Sequence, residues 1–117
     1  MRGDNLGDDE MGNPKGLFFG LTTVDLIYTL SRGLGENEKL KAQHVQCSAG
    51  GPAANAAVTF SALGGESSLH TRLGQHPAAQ LARDDLTNQG VRLHDYVNDA
   101  CQLPVMSSIL VNAQSGD

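Results

Sequence analysis

The chain has 117 residues, of which 39% are hydrophobic, and a formal net charge of -5. This length suits one modest domain and is too short for two ordinary ones. The acidic balance and the scattered basic residues argue against a nucleic-acid partner, which requires clustered Lys and Arg. No apolar run approaches the ~20 residues that span a bilayer. The two cysteines show neither Cys-x-x-Cys spacing nor a disulfide framework, which favours a reduced, cytoplasmic setting.

The first part of the chain is predicted to be a tail followed by extended segments. Residues 1–15 are acidic, rich in glycine and nearly free of hydrophobic side chains, so they indicate a disordered tail rather than a signal peptide. The apolar run 17–21 predicts a buried strand, and residues 26–30 supply side chains for a second one. After a loop at 31–39, the apolar positions of 40–47 alternate with a phase slip that predicts a bulged edge or lid strand.

Two helices are predicted farther along the chain. Segment 52–63 begins with proline, carries apolar residues at helical spacing and ends before Gly64. Segment 77–89 repeats this pattern and ends before Gly90. Each helix is therefore predicted from its start signal, its apolar face and its stop signal together.

Strands are predicted between and after these helices. Residues 67–73 and 103–111 predict strands, whereas 91–97 is short and ambiguous. Strands that alternate with helices favour an α/β layer with a parallel sheet. Residues 112–117 have turn chemistry, and a turn there asks for a returning strand. Because an unpaired apolar edge is a liability for a complete domain, we expect a fold that is interrupted at this point.

The segment 48–65 raises a question of function, because one amide side chain follows two glycines at the start of a helix. Free N–H groups at a helix N-terminus attract anions and electron-rich oxygens. Gly50 and Gly51 leave room for a ligand to approach the backbone, and Asn55 adds a donor and an acceptor. Without a Lys or Arg, this arrangement suits a polyhydroxyl ligand better than a phosphate. A turn before a helix with a capping asparagine would also explain these residues.

The longer spacing resembles the N-terminal signature of the pfkB-type, or ribokinase-like, carbohydrate kinases. The matching residues are Gly50-Gly51-x-Ala53-x-Asn55-x-Ala57, then six residues, Gly64, nine residues and Gly74. Phe19-Gly20-x-x-x-Val24-Asp25 is similar to the family's first strand and its substrate-facing aspartate. The resemblance covers about residues 17–117. It implies an α/β, ribokinase-like fold over 16–117, as a partial three-layer sandwich with a small β lid.

The resemblance also implies an activity, namely phosphoryl transfer from Mg-ATP to a sugar hydroxyl. It assigns substrate binding to Asp25, Gly50, Gly51 and Asn55. Asp25 would accept hydrogen bonds from two sugar hydroxyls, the glycines would offer backbone contacts, and Asn55 would bind another hydroxyl. Taken without the family, Asp25 is more readily explained as a turn or cap carboxylate.

The resemblance stops short of the catalytic machinery. The family's second signature, a Gly-Ala-Gly-Asp stretch with the general base and the anion hole, has no counterpart in this sequence, and neither has the ATP site. We therefore assign no catalytic, cofactor-binding or metal-binding residue, and we expect the chain by itself to be inactive. The alternative is a non-catalytic module that binds sugar or forms a homodimer through its lid strands. An unrelated nucleotide-binding α/β domain is a third and weaker alternative.

Several further residues receive predictions of their own. His76 stands where the family usually has an aspartate, so the start of the second helix is expected to be weaker. Asp84 and Asp85 are predicted to lie on a solvated helix face, and Cys47 to act as a small hydrophobic residue. The four histidines lack metal-ligand spacing; they are His44, His70, His76 and His94. Within the family, the chain is weakly similar to sulfofructose kinases at Val24-Asp25, Ile27-Tyr28, Gln102-x-Pro104 and Ser107-Ser108.

Overall fold

The computed structural model describes residues 12–116. Within this range the strands are β1 (Lys15–Phe19), β2 (Thr23–Leu30), β3 (His44–Gly50), β4 (Glu66–Thr71), β5 (Val91–Asp95) and β6 (Val105–Asn112). The helices are α1 (Pro52–Ala62) and α2 (Gln80–Asn88), and a 3-10 turn (Pro77–Ala79) leads into α2. Residues 1–11 of the predicted tail lie outside the described residues. Strand β1 begins at Lys15, which is the last residue of the predicted tail.

Strands β1, β4 and β5 form a parallel sheet in the order β1-β4-β5, which we call the main sheet. Helices α1 and α2 pack on the same face of it, where Ala57, Leu69 and Leu86 are completely buried. On the other face, Leu17 and Phe19 are 67% and 68% exposed. The predicted α/β layer is thus confirmed, and residues 12–116 provide one helical layer of the predicted three-layer sandwich.

Strands β3, β2 and β6 form a second sheet, the lid sheet, in which β2 is antiparallel to β3 and parallel to β6. Only residues 20–22 separate β1 from β2, so the two sheets are closely connected. Val24 of β2 is completely buried in a cluster with Leu73, Ala79 and Ala82. Successive residues of a strand point to opposite faces, so the neighbouring Asp25 lies on the face away from this cluster.

The helix boundaries follow the predicted stop signals. Gly64 and Gly90 adopt φ angles of 99° and 82°, a conformation that a residue with a Cβ adopts only with strain. They follow α1 and α2 within two residues. The ambiguous segment 91–97 contains β5, which occupies an edge of the main sheet. The predicted turn after β6 is confirmed, since the carbonyl of Asn112 accepts hydrogen bonds from the N–H groups of Ser115 and Gly116.

The structure adds detail to two local predictions. The strand predicted over 40–47 begins only at His44, and residues 40–43 form an irregular approach to it. The bulge is therefore wrong, since the phase slip marks the start of the strand, whereas the predicted edge position of the strand is confirmed. At the start after His76, which is predicted to be weaker, the structure shows a side-chain cap: His76 Nδ1 accepts a hydrogen bond from the Ala78 N–H at 3.0 Å. The imidazole thus caps the 3-10 turn in the way that a carboxylate would.

Within residues 12–116, no helix combines the length and the apolar character that are needed to cross a membrane.

Candidate functional site

A row of polar side chains crosses the lid sheet. Asp25 of β2 is paired with Ser48 of β3 on one side and with Ser107 of β6 on the other. Directly opposite residues in a sheet project to the same face, so the three side chains lie side by side. Within the strand, the Thr23 hydroxyl donates a hydrogen bond to Asp25 Oδ1 at 2.7 Å. This bond fixes the rotation of the carboxylate and leaves Oδ2 available to a ligand.

The lack of a side chain at Gly50 makes room for this carboxylate. Gly50 lies opposite Thr23 in the sheet and is buried. A Cβ at Gly50 would overlap Asp25 Oδ2 and would lie 2.6 Å from Thr23 Oγ1. The structure therefore brings Asp25 and Gly50, both predicted from the sequence, into direct proximity.

Gly51 joins β3 to α1 in a conformation that favours glycine. It is the N-cap residue of α1 with a φ of 99°, and a Cβ there would lie 2.5 Å from the Leu21 carbonyl oxygen. No side chain caps this helix end. The N–H groups of Ala53 and Ala54 precede the first intrahelical bond, so they are available to an electron-rich ligand.

Asn55 lies in the first turn of α1. Its backbone N–H donates to the Gly51 carbonyl at 3.0 Å, which is an intrahelical bond, and its side chain is exposed. In the part of the chain that the structure describes, this amide has no hydrogen-bond partner. The capping explanation of Asn55 is therefore wrong, since the N-cap is Gly51 and has no side-chain bond. Asn55 adjoins the glycine pair with its donor and acceptor free.

Three contacts hold the polar row in place against the main sheet. The hydroxyls of Thr22 and Thr71 are 2.7 Å apart and buried, which ties the β1–β2 connection to the end of β4. A Cβ on Gly20 would lie 2.8 Å from that of Ala53, so the same connection packs closely on α1. The N–H of Ala49 donates to Asp85 Oδ2 at 2.8 Å, which ties β3 to α2. The solvated position predicted for Asp85 is wrong, because the carboxylate is partly buried by this contact.

Asp95, at the end of β5, organises the loop beneath the lid sheet. Its carboxylate accepts hydrogen bonds from the backbone N–H groups of Leu73, Gly74 and Val97 at 2.8 to 3.0 Å, and from Arg83 at 3.2 Å. Burial acts to raise the pKa of Asp95, but these hydrogen bonds outweigh it and lower the pKa below its usual range. Leu73 packs on Val24, so this ionised cluster supports the strand that carries Asp25.

His70, His94 and Cys47 lie on other faces than the polar row. His70 and His94 stack on the exposed face of the main sheet with ring centroids 4.4 Å apart, and Phe19 stacks on His70 at 4.6 Å. The structure groups no three His, Cys, Asp or Glu side chains into a metal-binding arrangement within residues 12–116. Cys47 is paired with Leu26, so it lies on the opposite face from Asp25, and it is exposed rather than a packed hydrophobic residue.

Sequence reasoning missed Thr23, Ser48 and Asp85 as parts of this site. Thr23 and Ser48 lie on the same face of the lid sheet as Asp25. The alternation of side chains along β2 and β3 could therefore have identified them, once the pairing of the two strands was known. The position of Asp85 depends on a contact across 36 residues, for which local sequence gives no signal.

The family profile described as "pfkB family carbohydrate kinase" matches residues 14–116. The chain belongs to this family. No curated protein matches the chain in sequence. Among solved structures, phosphofructokinase-2 from Escherichia coli in complex with fructose-6-phosphate is similar, with a TM-score of 0.73 at 16% identity, and covers 90% of this chain and 33% of its own.

Two further solved structures are similar in fold to this chain. A carbohydrate kinase from Agrobacterium tumefaciens has a TM-score of 0.72 at 17% identity, over 86% of this chain and 32% of its own. Ribokinase from Cryptococcus neoformans var. grubii serotype A in complex with ADP has a TM-score of 0.67 at 20% identity, over 90% of this chain and 32% of its own. The chain thus has a ribokinase-like fold and spans about a third of the length of these structures.

Proposed function

We propose that this chain forms the sugar-binding side of an ATP-dependent sugar kinase of the pfkB family. The observation that carries the proposal is the Asp25 carboxylate, fixed by Thr23 and placed between Ser48 and Ser107. Family membership supports it, since the family is one of carbohydrate kinases. The absence of a side chain at Gly50 supports it too, because the Asp25 carboxylate lies where a Cβ would be.

The chemistry of the row suits a sugar. Asp25 has two oxygens, and only Oδ1 is engaged by Thr23, so the carboxylate can accept hydrogen bonds from two hydroxyls. The serine hydroxyls on either side can donate or accept, as adjacent sugar hydroxyls require. Gly50 and Gly51 allow close backbone approach, and Asn55 supplies a further amide. In this proposal these residues bind and orient the hydroxyl that accepts the phosphate.

Phosphoryl transfer itself is not assigned to these residues. In such reactions Mg-ATP supplies the phosphoryl group, and catalysis consists mainly of positioning and charge stabilisation. Within residues 12–116, no carboxylate cluster of the kind that holds a metal ion adjoins the polar row. We therefore propose that the chain by itself binds the acceptor and does not turn over. Phosphorylation of a sugar by the purified chain would contradict this part.

The substrate is proposed to be a sugar or sugar derivative, and the narrower proposal is a substrate of the sulfofructose type. Ser107, one of the residues that resemble sulfofructose kinases, lies beside Asp25 and supports a highly polar ligand. A reducing, cytoplasmic setting belongs to the same proposal, since Cys47 and Cys101 are both free and exposed.

The proposal is tested by titrating the 15N-labelled chain with D-ribose, D-fructose, fructose 6-phosphate and sulfofructose. We expect saturable shifts of the amide signals of Gly50, Gly51 and Asn55 with at least one of these compounds. The absence of shifts with every compound would overturn the proposal. Shifts that persist unchanged after Asp25→Ala would place the sugar elsewhere.

A second candidate function is association through the lid sheet, without catalysis. Its favouring observation is an apolar row of Val45, Tyr28 and Leu110 on the face opposite Asp25, of which Val45 and Leu110 are 49% and 47% exposed. A cavity of about 560 Å³ adjoins this row. A homodimer that buries this face should dissociate in Val45→Lys and persist in Leu63→Lys, a control at an exposed position on the C-terminal end of α1. Sedimentation velocity measures the difference, and a wild-type chain that stays monomeric at all concentrations would contradict the candidate.

A further inference from the structure

Strand β3 lies at an edge of the lid sheet, so only alternate backbone groups along it are paired with β2. The N–H of Ala49 finds its acceptor outside the sheet, in Oδ2 of Asp85 on α2, at 2.8 Å. The Ala49 side chain meanwhile packs against both buried clusters of the fold. An N–H in these partly buried surroundings would lose free energy if it had no acceptor. Asp85 therefore provides the polar anchor for the end of β3.

The anchored residue leads directly into the glycine pair. Gly50 follows Ala49 in the chain and lies so close to Asp25 that a Cβ would overlap the carboxylate. Gly51 follows next and is the N-cap of α1, at a position where a Cβ would lie 2.5 Å from the Leu21 carbonyl oxygen. A displacement of Ala49 would therefore move Gly50, against which the Asp25 carboxylate lies, and Gly51 at the N-terminus of α1.

Asp85 is itself held on a rigid element. It lies in the middle of α2, and the Gln89 amide approaches its Oδ1 at 3.5 Å, one helical turn away. The same helix carries Arg83, which donates to the Gly74 carbonyl at 2.6 Å and to Asp95. Helix α2 is thus bonded both to the end of β3 and to the loop beneath β2.

We infer that Asp85 is a positioning residue for the sugar site, which it serves by holding Ala49 and hence Gly50 and Gly51 in place. The inference rests on the proposed function for its ligand. Asp85 does not touch the sugar in this scheme; it acts through the backbone of β3. The adjacent Asp84 provides a matched control, because its carboxylate is exposed and, within residues 12–116, bonds only Gln80, at 2.7 Å, in the same helix.

The experiment compares Asp85→Ala, Asp85→Asn and Asp84→Ala in the whole 117-residue chain. Amide hydrogen exchange by NMR reports on the Ala49 N–H directly, and titration with D-ribose and fructose 6-phosphate reports on the site. In Asp85→Ala we expect exchange at Ala49 to accelerate and the Kd of the bound sugar to rise about tenfold. The amides of Leu73 and Gly74, which are bonded to Asp95, should keep their protection. Asp85→Asn retains an acceptor oxygen and should recover most of the affinity, and Asp84→Ala should match the wild type.

The outcomes separate this inference from the function on which it rests. Unchanged exchange at Ala49 in Asp85→Ala, or a sugar Kd equal to that of Asp84→Ala, overturns the positioning role. If Asp25→Ala abolishes binding while Asp85→Ala leaves it intact, the sugar site stands and this inference alone is wrong. If the wild-type chain binds neither sugar nor any other compound of the panel, the proposed function fails and the inference fails with it. Should Asp85→Ala fail to fold, Asp85→Asn is compared with Asp25→Asn and Asp84→Asn instead. The role is supported if the sugar Kd of Asp85→Asn lies between the higher Kd of Asp25→Asn and the lower Kd of Asp84→Asn. Any other order of the three Kd values contradicts it.

Discussion

The hydroxyl of Thr23 and the carboxylate of Asp25 form a hydrogen bond of 2.7 Å within one strand. We expect Thr23→Val, which preserves the shape of the side chain, to release the carboxylate and weaken sugar binding by about 1 kcal/mol, the ordinary value of such a bond. A titration of the variant with the sugar that the wild type binds measures this loss. Thr29→Val, in the same strand and on the same face, is the control. Equal affinities of the two variants would show that Asp25 needs no orientation by Thr23.

Gly50→Ala should be more damaging, because the new methyl group would occupy the space of the Asp25 carboxylate. Relief of this overlap requires β3 to move or the carboxylate to turn away from its bond with Thr23. Overpacking of this kind destabilises proteins by about 1–3 kcal/mol, and we expect the sugar signal to disappear as well. Thermal unfolding and titration together check both effects.

The control for this substitution is Gly33→Ala. Gly33 does not have a positive φ, and a Cβ there would meet its nearest neighbour, the Asn112 amide, at an ordinary distance of 3.5 Å. The unfolding temperature and the sugar affinity of Gly33→Ala should match those of the wild type. A Gly50→Ala variant that still binds sugar normally would mean that the carboxylate does not need the space beside Gly50.

Much of the fold could be predicted from the sequence, because its signals are local. Apolar spacing, the prolines at 52 and 77 and the glycines at 64 and 90 indicate both helices, and the alternation of elements indicates a parallel sheet. The start of β3 could not be predicted in this way. Leu40 and Ala42 are apolar because they are half-buried beside the lid sheet, and this burial resembles strand alternation when the pairing is unknown.

In the candidate site, too, the residues of local motifs could be predicted and the contacts between distant segments could not. Asp25, Gly50, Gly51 and Asn55 could be named as candidates from the sequence, because they lie in two segments that resemble motifs of the family. The alignment of Ser48 and Ser107 beside Asp25 depends on the register of three strands that are far apart in the chain. Register is set by packing and by turn geometry across the sheet, so no single segment of the sequence contains it.

Asp95 should make the stability of the chain depend on pH. Its side chain is only 6% exposed, and its pKa is lowered from the ordinary value of 3.8 by the hydrogen bonds that it accepts. A carboxyl with a lower pKa in the folded than in the unfolded state stabilises the fold above its unfolded-state pKa. This contribution is lost as the pH falls through the lower, folded-state value. We therefore expect stability to decline as the pH is lowered from about 4.

Asp95→Asn tests this relationship. The amide retains one acceptor oxygen but replaces the other with a donor. At the Oδ1 position this donor would face the N–H groups of Leu73 and Val97, and at the Oδ2 position it would face the Gly74 N–H and Arg83. We expect the variant to be less stable at pH 7 by about 1–3 kcal/mol and to show a flatter dependence of stability on acid. Denaturant unfolding at a series of pH values measures both. Asp99→Asn, at an exposed position on the next connection, should follow the wild-type curve.

His76 provides a prediction about the strength of the start of the second helix, which the sequence alone predicts to be weaker. Its Nδ1 accepts a hydrogen bond from the Ala78 N–H at the start of the 3-10 turn. The imidazole is thus the capping group at a position where the family usually has an aspartate. His76→Ala removes the acceptor and should destabilise the chain by about 1 kcal/mol, as the loss of a helix cap does. His76→Asp restores a carboxylate acceptor beside a helix start and should be at least as stable as the wild type.

The comparison isolates capping from packing, because alanine removes both the ring and the acceptor whereas aspartate removes only the ring. His76→Phe completes the set, since it keeps an aromatic ring of similar size without the acceptor nitrogen. If capping is what His76 contributes, the phenylalanine variant should unfold at the same denaturant concentration as the alanine variant. A phenylalanine variant as stable as the wild type would instead show that the ring of His76 stabilises the turn by packing and that the bond to Ala78 contributes little.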